Sequence, residues 1–329
     1  MLTKKQNFLE TIHGGNPDRF VNQFEYFAML FGDPILGQSP RPVQGGDTIV
    51  DAWGVTRAWP ANVPGMFPVH DEEHLVVKDI EHWKDYVKMP RIDFPDEDWA
   101  FYDKVAASVD RDELLVAASV FPGVFERVHD LLSIDAALLD FYLYPDEMHE
   151  IIDYITEYEL LLAEQLIKHA HPDALFHHDD WGSHNSSFMS PEMFDEFLLP
   201  AYKKIYGYYK ANGVEVIIHH SDSYAANLVP EMIEMGIDVF QGCVTTNNVP
   251  ELIKQYGGKI SFMGDINNGV VDIKDWTPEL VEREVRRACE TCGKHYFIPC
   301  LTAGGPGSVY DGVYAETTKV IDKLSKEMF

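Results

Sequence analysis

The run VEVIIHHSDS, residues 214–223, is an apolar strand pattern that stops abruptly in two histidines and an aspartate. Side chains alternate along a strand, so Val216, Ile218, His220 and Asp222 share one face, and His220 and Asp222 leave its end in the same direction. A thiol, Cys300, follows the strand-like run YFIP. An imidazole, a carboxylate and a thiolate are a donor set suited to zinc, and an open fourth position would let the ion act as a Lewis acid. The competing reading is a hydrogen-bonded histidine beside a carboxylate that caps the next helix, and His-x-Asp alone does not separate the two.

DALFHHDD, residues 173–180, repeats the logic. His178 and Asp180 share one face, His177 and Asp179 the other. One pair faces the same mouth as His220, and periodicity does not say which; either aspartate could instead satisfy loop N–H groups. His220, Asp180 and His178 are therefore the candidate catalytic residues, and His220, Asp222 and Cys300 the candidate metal ligands. GDIN, residues 264–267, is a further polar strand end, with Gly264 and Asn267 as candidates for contact with a cofactor. Tyr26, Phe27, Phe121 and Trp181 lie near strand ends and either line an apolar substrate pocket or fill core. Cys243 also ends a strand, as a metal ligand or a pocket wall. Cys289 and Cys292 form a CxxC inside a helical pattern with no second CxxC, which reads as structural thiols. Arg19 and Arg127 either bind a carboxylate or form structural ion pairs. TAGGPGS, residues 302–308, lacks the lysine and spacing of a P-loop and reads as a turn.

These residues need a frame that brings strand ends together. From about residue 113 the chain alternates strand-like and helix-like patterns with short loops: ELLVAASVF, DALFHHDD, VEVIIHHSD, DVFQGCV, KISFMGDI and HYFIPC, separated by apolar residues at three- and four-residue spacing. Ser190 and Thr277 stand as N-caps, each followed by a proline, and Gly213 as a stop. RFVNQFEYF, residues 19–27, is a candidate first strand. The strands are parallel and joined by crossovers. About seven candidates, and no G-x-G-x-x-G fingerprint after an early one, favour a distorted (β/α)8 TIM barrel over an open doubly wound sheet. In a barrel every one of these polar strand ends faces one mouth. The expectation is a single domain, 1–329, with residues 1–110 as an irregular, Pro- and Gly-rich segment packed on the barrel.

The formal net charge of −28 disfavours nucleic acid and anionic membrane surfaces as partners. MLTKKQNFLETIHGG has no apolar signal core, no run approaches the ~20 apolar residues of a membrane span, and four cysteines are too few for a disulfide framework. A cytoplasmic protein is expected.

The order of motifs resembles the uroporphyrinogen decarboxylase superfamily, and within it the corrinoid-dependent methyltransferase branch. The resemblance rests on DAWGV (51–55) with a following Gly-x-x-Pro, VKDIEHWKDYVKMP (77–90), DDWGSHNSSFMSPEMFDEFLLPAYKKI (179–205), HSDS (220–223) followed by LVPEMIEMGIDVFQ (228–241), and KISFMGDIN (259–267). It implies a distorted TIM barrel. The decarboxylases carry an arginine-rich stretch after the first strand; here NQFEYFAMLFGDP has none. The methyltransferase branch binds zinc through His-x-Cys and a later cysteine. His220 matches the histidine and Cys300 the later cysteine, while Asp222 stands for the first cysteine and makes a harder site, better matched to an oxygen-bound methyl group. The resemblance thus implies zinc-dependent transfer of a methyl group from a small methylated substrate, an aryl methyl ether, to the cob(I)alamin of a corrinoid protein. The alternatives are methylcobalamin:thiol transfer and metal-free decarboxylation.

Overall fold

The computed structural model describes every residue except Pro64, Gly304 and Ser308. The last two lie in the TAGGPGS turn, so the expectation there falls partly outside the described residues.

Seven parallel strands form one sheet in chain order: β1 (Phe27–Met29), β2 (Leu115–Val120), β3 (Ala174–His178), β4 (Val216–His220), β5 (Val239–Cys243), β6 (Ser261–Ile266) and β7 (Phe297–Leu301). Both faces are buried, which is why the strands read as nearly continuous apolar runs. Leu115, Ala117, Phe176, Ile218 and Met263 fill the inside, whereas Val116, Leu175, Ile217 and Phe262 join the outer helical layer. The expected distorted barrel is present, with seven ladder strands where an ideal barrel has eight.

Side chains of the segment before β1 reach β7 and β6. The Leu301 N–H donates to Gln23 Oε1 at 3.5 Å, and the Tyr26 hydroxyl meets Met263 Sδ at 3.4 Å. The expected first strand, 19–27, gives way to Phe27–Met29, which shares only Phe27 with it, because the polar residues before it are claimed elsewhere. Asn22 Nδ2 donates to Thr318 O and Gln23 Nε2 to Thr318 Oγ1, each at 2.9 Å, and Gln23 turns the chain at φ 52°. Helix α1 (Lys4–Ile12), not anticipated, opens on a Thr3–Gln6 capping box and covers the barrel floor, its Phe8 ring stacked 3.9 Å from Tyr26.

The outer layer includes α2 (Val124–Leu132), α3 (Pro145–Ala170), α4 (Leu199–Ala211), α5 (Pro278–Cys292) and α6 (Val313–Met328). Ser190 and Thr277 cap their helices as expected. The helix read from residue 191 onward breaks at Leu198, since Pro200 has no N–H to continue it. The N-terminal region carries a small antiparallel sheet (Ile49–Val50, Thr56–Ala58, Phe67–Pro68) tied to α2. Arg57 bridges Asp51 at 3.0 Å and Asp130 at 2.5 Å, and Arg127 pairs with Asp51 at 3.4 Å. Arg127 and Arg19, the latter 2.6 Å from Asp18, are thus structural ion pairs. No helix among the described residues is long and apolar enough to cross a membrane.

Gly264 sits at φ 148° where β5 bulges, and a Cβ there would lie 2.6 Å from Cys243 O. Gly207, exposed in α4, has nothing within 4 Å of a Cβ. Gly264→Ala is expected to lose about 1–3 kcal/mol in urea unfolding through overpacking. Gly207→Ala should gain roughly 0.5–1 kcal/mol through helix propensity.

Candidate functional site

Strand parity assembles the site. In the β3–β4 ladder His178 pairs with His220, and both continue the inward series Phe176 and Ile218. Their rings stack with centroids 4.3 Å apart at 20°. Asp180 follows just beyond β3. Its Oδ1 accepts from the Asp222 N–H at 3.0 Å and lies 4.0 Å from His220 Nε2. One donor atom each from His178, Asp180 and His220 falls within 4.8 Å of the others.

Each imidazole is held from behind. His178 Nδ1 bonds Glu126 Oε2 at 2.8 Å, and His220 Nδ1–H donates to Gln241 Oε1. Engaging Nδ1 leaves Nε2 as the free nitrogen, the arrangement in which outer hydrogen bonds fix tautomer and ring orientation for a metal ligand. Glu126 arrives on α2, whose start is docked onto β3. The Phe125 and Glu126 N–H groups donate to the Asp179 carboxylate at 2.9 and 2.7 Å, and Gly123 N–H to His178 O at 2.6 Å. Gly123 permits this approach, because a Cβ there would sit 2.7 Å from Asp179 Cβ.

The question left open by periodicity is settled: His178 and Asp180 face the mouth, and His177 and Asp179 face the helices. His177 Nε2 pairs with Glu159 Oε2 at 2.8 Å, and the Tyr202 hydroxyl donates to Asp179. His219 bonds the Tyr206 hydroxyl at 2.9 Å and stacks on Trp181 at 3.8 Å. Burial pushes the Asp179 carboxyl well up and His219 well down. Trp181, expected in a pocket wall, is fully buried in this outer layer, its indole N–H donating to the Tyr202 hydroxyl at 3.3 Å.

Negative charge concentrates on the inner side. Burial first, then Asp180, lift Asp222 to about 6. Burial and then Asp180 also push Glu126 well up. Burial, followed by the neighbouring His178, pushes His220 down. No arginine or lysine is the first residue after any strand; these positions are Leu30, Phe121, Asp179, Ser221, Val244, Asn267 and Thr302.

The ligand set expected from the sequence was His220, Asp222 and Cys300; among the described residues, the three that converge are His178, Asp180 and His220. Cys300 points inward but is fully buried in the apolar barrel interior, opposite Asp265 in the ladder, and burial pushes its thiol well up. Asp222 stands beside the trio through its hydrogen bond to Asp180. Cys243 packs in the outer core, and Cys289 and Cys292 lie buried on α5. Burial pushes Cys289 up to about 12, and Cys292 donates to Asp265 at 3.4 Å, so this pair is structural. Gly264 is accounted for by the β5 contact. Asn267 caps the short helix Asn268–Val271 through Gly269 N–H, and these roles need no cofactor.

Of the expected aromatic wall, Tyr26 belongs to the floor and Phe27 packs 6.0 Å from Phe176. Phe121 lies 5.5 Å from His178 and stacks on the exposed Phe31 at 6.2 Å. Sequence reasoning missed Phe31, Glu126 and Gln241. Only Gln241 had a signal, two residues after Val239 on the inner face of a strand ending in QGC.

Comparison with known proteins finds the family model "Uroporphyrinogen decarboxylase (URO-D)" matching residues 131–308, more than half of the chain. No match is found among curated proteins. The structure is similar to a methyltransferase from Methanosarcina mazei, at 13% identity over 98% of this chain and 99% of that chain, with a TM-score of 0.65. It is also similar to a B12-independent methionine synthase from Shewanella sp. W3-18-1 in complex with selenomethionine, at 14% identity over 74% and 71%, with a TM-score of 0.45. At these identities the first likeness shows a shared fold.

Asp222 gives a signed pH dependence. Its pKa is raised on folding, so its contribution to stability is fully present below the unfolded value of about 3.9 and is lost as pH rises through about 6. In chelator-treated protein, Asp222→Asn should flatten the fall in urea midpoint between those limits. An identical slope in both proteins would contradict the burial of a carboxyl beside Asp180.

Proposed function

The chain belongs to the uroporphyrinogen decarboxylase family, and we propose that it is a methyltransferase of that family, cytoplasmic, removing the methyl group of an aryl methyl ether. The acceptor in this reading is cob(I)alamin on a separate corrinoid protein, which meets the substrate at the open mouth of the barrel. The observation that carries it is the donor set of two imidazoles and one carboxylate, His178, Asp180 and His220, with no thiolate among them.

These residues fit a divalent ion such as zinc: their donors converge, and both imidazoles have Nδ1 engaged by Glu126 or Gln241. Zinc held there supplies a Lewis acid for the ether oxygen. The chain's own work is positioning. Glu126 and Gln241 fix the imidazole planes, Phe121 and Phe176 offer an aromatic wall beside them, and the Asp222 carboxyl, lifted to about 6 by burial and then by Asp180, is the proton source in this reading. A nitrogen and oxygen site suits an oxygen-bound methyl group better than thiol activation, which ranks methylcobalamin:thiol transfer second. Metal-free decarboxylation draws support from the Asp180–Asp222 pair beside two imidazoles. Against it, Arg57 and Arg127 are matched by Asp51 and Asp130 and so are not free to hold substrate acids.

The test is elemental analysis together with a panel of methyl ethers and a cob(I)alamin-carrying protein. About one zinc per chain is expected in the wild type, little in His178→Ala or His220→Ala, and retention in Cys300→Ala. Methyl transfer should fall by about 10²-fold or more in the histidine variants. Zinc lost from Cys300→Ala but kept in His178→Ala would restore the thiolate ligand set. Full transfer by metal-free protein would end the reading, and decarboxylation without zinc would replace it.

A further inference from the structure

We propose that the loops following β3 to β7 form one uncharged docking face for the methyl acceptor, holding the neutral amide arms of the corrin ring on its carrier protein. This rests on the reaction read above and names how its partner is recognised.

The first observation is composition. The runs 181–191, 223–230, 244–250, 267–271 and 302–310 follow these five strands, and none of their residues is Asp, Glu, Lys or Arg, in a chain of which 24% is charged. Asp180 and Asp222, just before two of the runs, belong to the site itself. The N-terminal segment, which reaches the site past β1 and β2 through Phe31 and Phe121, instead exposes Asp47, Asp71, Glu72 and Glu73.

The second is that neutral groups stitch these loops together in chain order. Tyr224 N–H donates to Ser183 O at 2.8 Å, joining the loops after β3 and β4. Asn247 Nδ2 donates to Ser223 O at 2.9 Å, joining those after β4 and β5. Asn267 Nδ2 reaches Thr245 Oγ1 at 3.3 Å, and Asn268 Oδ1 accepts from Thr302 N–H at 2.8 Å, which carries the arc to β7. Thr246 Oγ1 donates to His184 O at 2.6 Å and ties the third loop back to the first. On this fixed arc the side chains of Asn185 and Asn248 are exposed and make no hydrogen bond among the described residues. A corrin ring is fringed with carboxamide arms, each a neutral donor and acceptor, and an asparagine meets such an arm with no charge to desolvate. The arc borders Asp180 and Asp222, so a ring resting on it lies beside the donor trio. A carrier that departs after every transfer is served by polar contacts rather than a large apolar face. On a chain of formal charge −28, an uncharged arc also makes docking insensitive to salt.

The measurement is binding of methylcobalamin to the full, zinc-loaded chain by calorimetry, followed by turnover with a cob(I)alamin-carrying protein. Methylcobalamin should bind at submillimolar concentration, with less than about a twofold change in Kd between low and high potassium chloride. Asn185→Asp combined with Asn248→Asp should weaken it about fivefold or more, with the thermal unfolding midpoint unchanged. The same pair should raise KM for the carrier and leave kcat nearly constant. Glu72→Gln with Glu73→Gln, on the charged flank, should change neither quantity. Wild-type affinity in the asparagine variant, a steep loss of affinity with salt, or no binding of methylcobalamin each overturns the docking face. Methyl transfer with an unchanged carrier KM in that variant overturns it too and leaves the proposed reaction standing. The expected binding pattern with no methyl transfer from any methyl ether supports the face and overturns the reaction instead.

Discussion

At the C-terminal ends of β3 and β4 the outward-facing His177, Asp179 and His219 are buried polar groups with fixed partners, and the parity they impose sets everything on the inner face. His177 on Glu159, Asp179 on the start of α2 and on Tyr202, and His219 on Tyr206 each have a specific acceptor or donor in the helical layer. A slip of one residue would exchange the faces, strand these groups, and carry His178 and His220 away from the mouth. Leaving one such group without its partner costs about 1–3 kcal/mol, so several together hold the register far more tightly than apolar packing, which a two-sided hydrophobic strand satisfies in either parity.

Helix α2 transmits that register to the chemistry. Its first turn is fixed by Asp179 and by the close approach that Gly123 allows, so Glu126 reaches His178 at a defined distance. Arg127 and Asp130, further along the same helix, engage Arg57 and Asp51 of the N-terminal sheet. The irregular first third of the chain is thereby joined to the element that orients a site histidine. Breaking this ion-pair set would leave buried charges uncompensated, a larger loss than a surface pair would cause. It is also why neither arginine serves as an anion anchor, a point on which the reading of the family member as something other than an acid-binding decarboxylase depends.

Most of the barrel was legible in the sequence, because β2 to β7 are buried on both faces and flanked by capped helices. The first strand was not: Asn22 and Gln23 look compatible with an extended run until α6, nearly 300 residues away, supplies their partners. Helix α1 is short, and its capping box lay in a segment read for the signal core it lacks. Trp181 shows the limit of reading function from position alone. It lies near a strand end, as a pocket residue would, yet the chain turns it into the layer of Tyr202 and His219.

The sequence by itself determined which residue types stand at the strand ends, that His220 shares a face with Ile218, and that a mouth lined with imidazole and carboxylate would form. Those follow from the period of two and from apolar patterning, both local. Only the tertiary structure decided that His178 rather than His177 joins His220, that Asp180 converges with them while Cys300 stays in the dry interior, and that Glu126 and Gln241 hold the rings. Those depend on the register between neighbouring strands and on one helix docking against a strand end, and neither is encoded in any single segment.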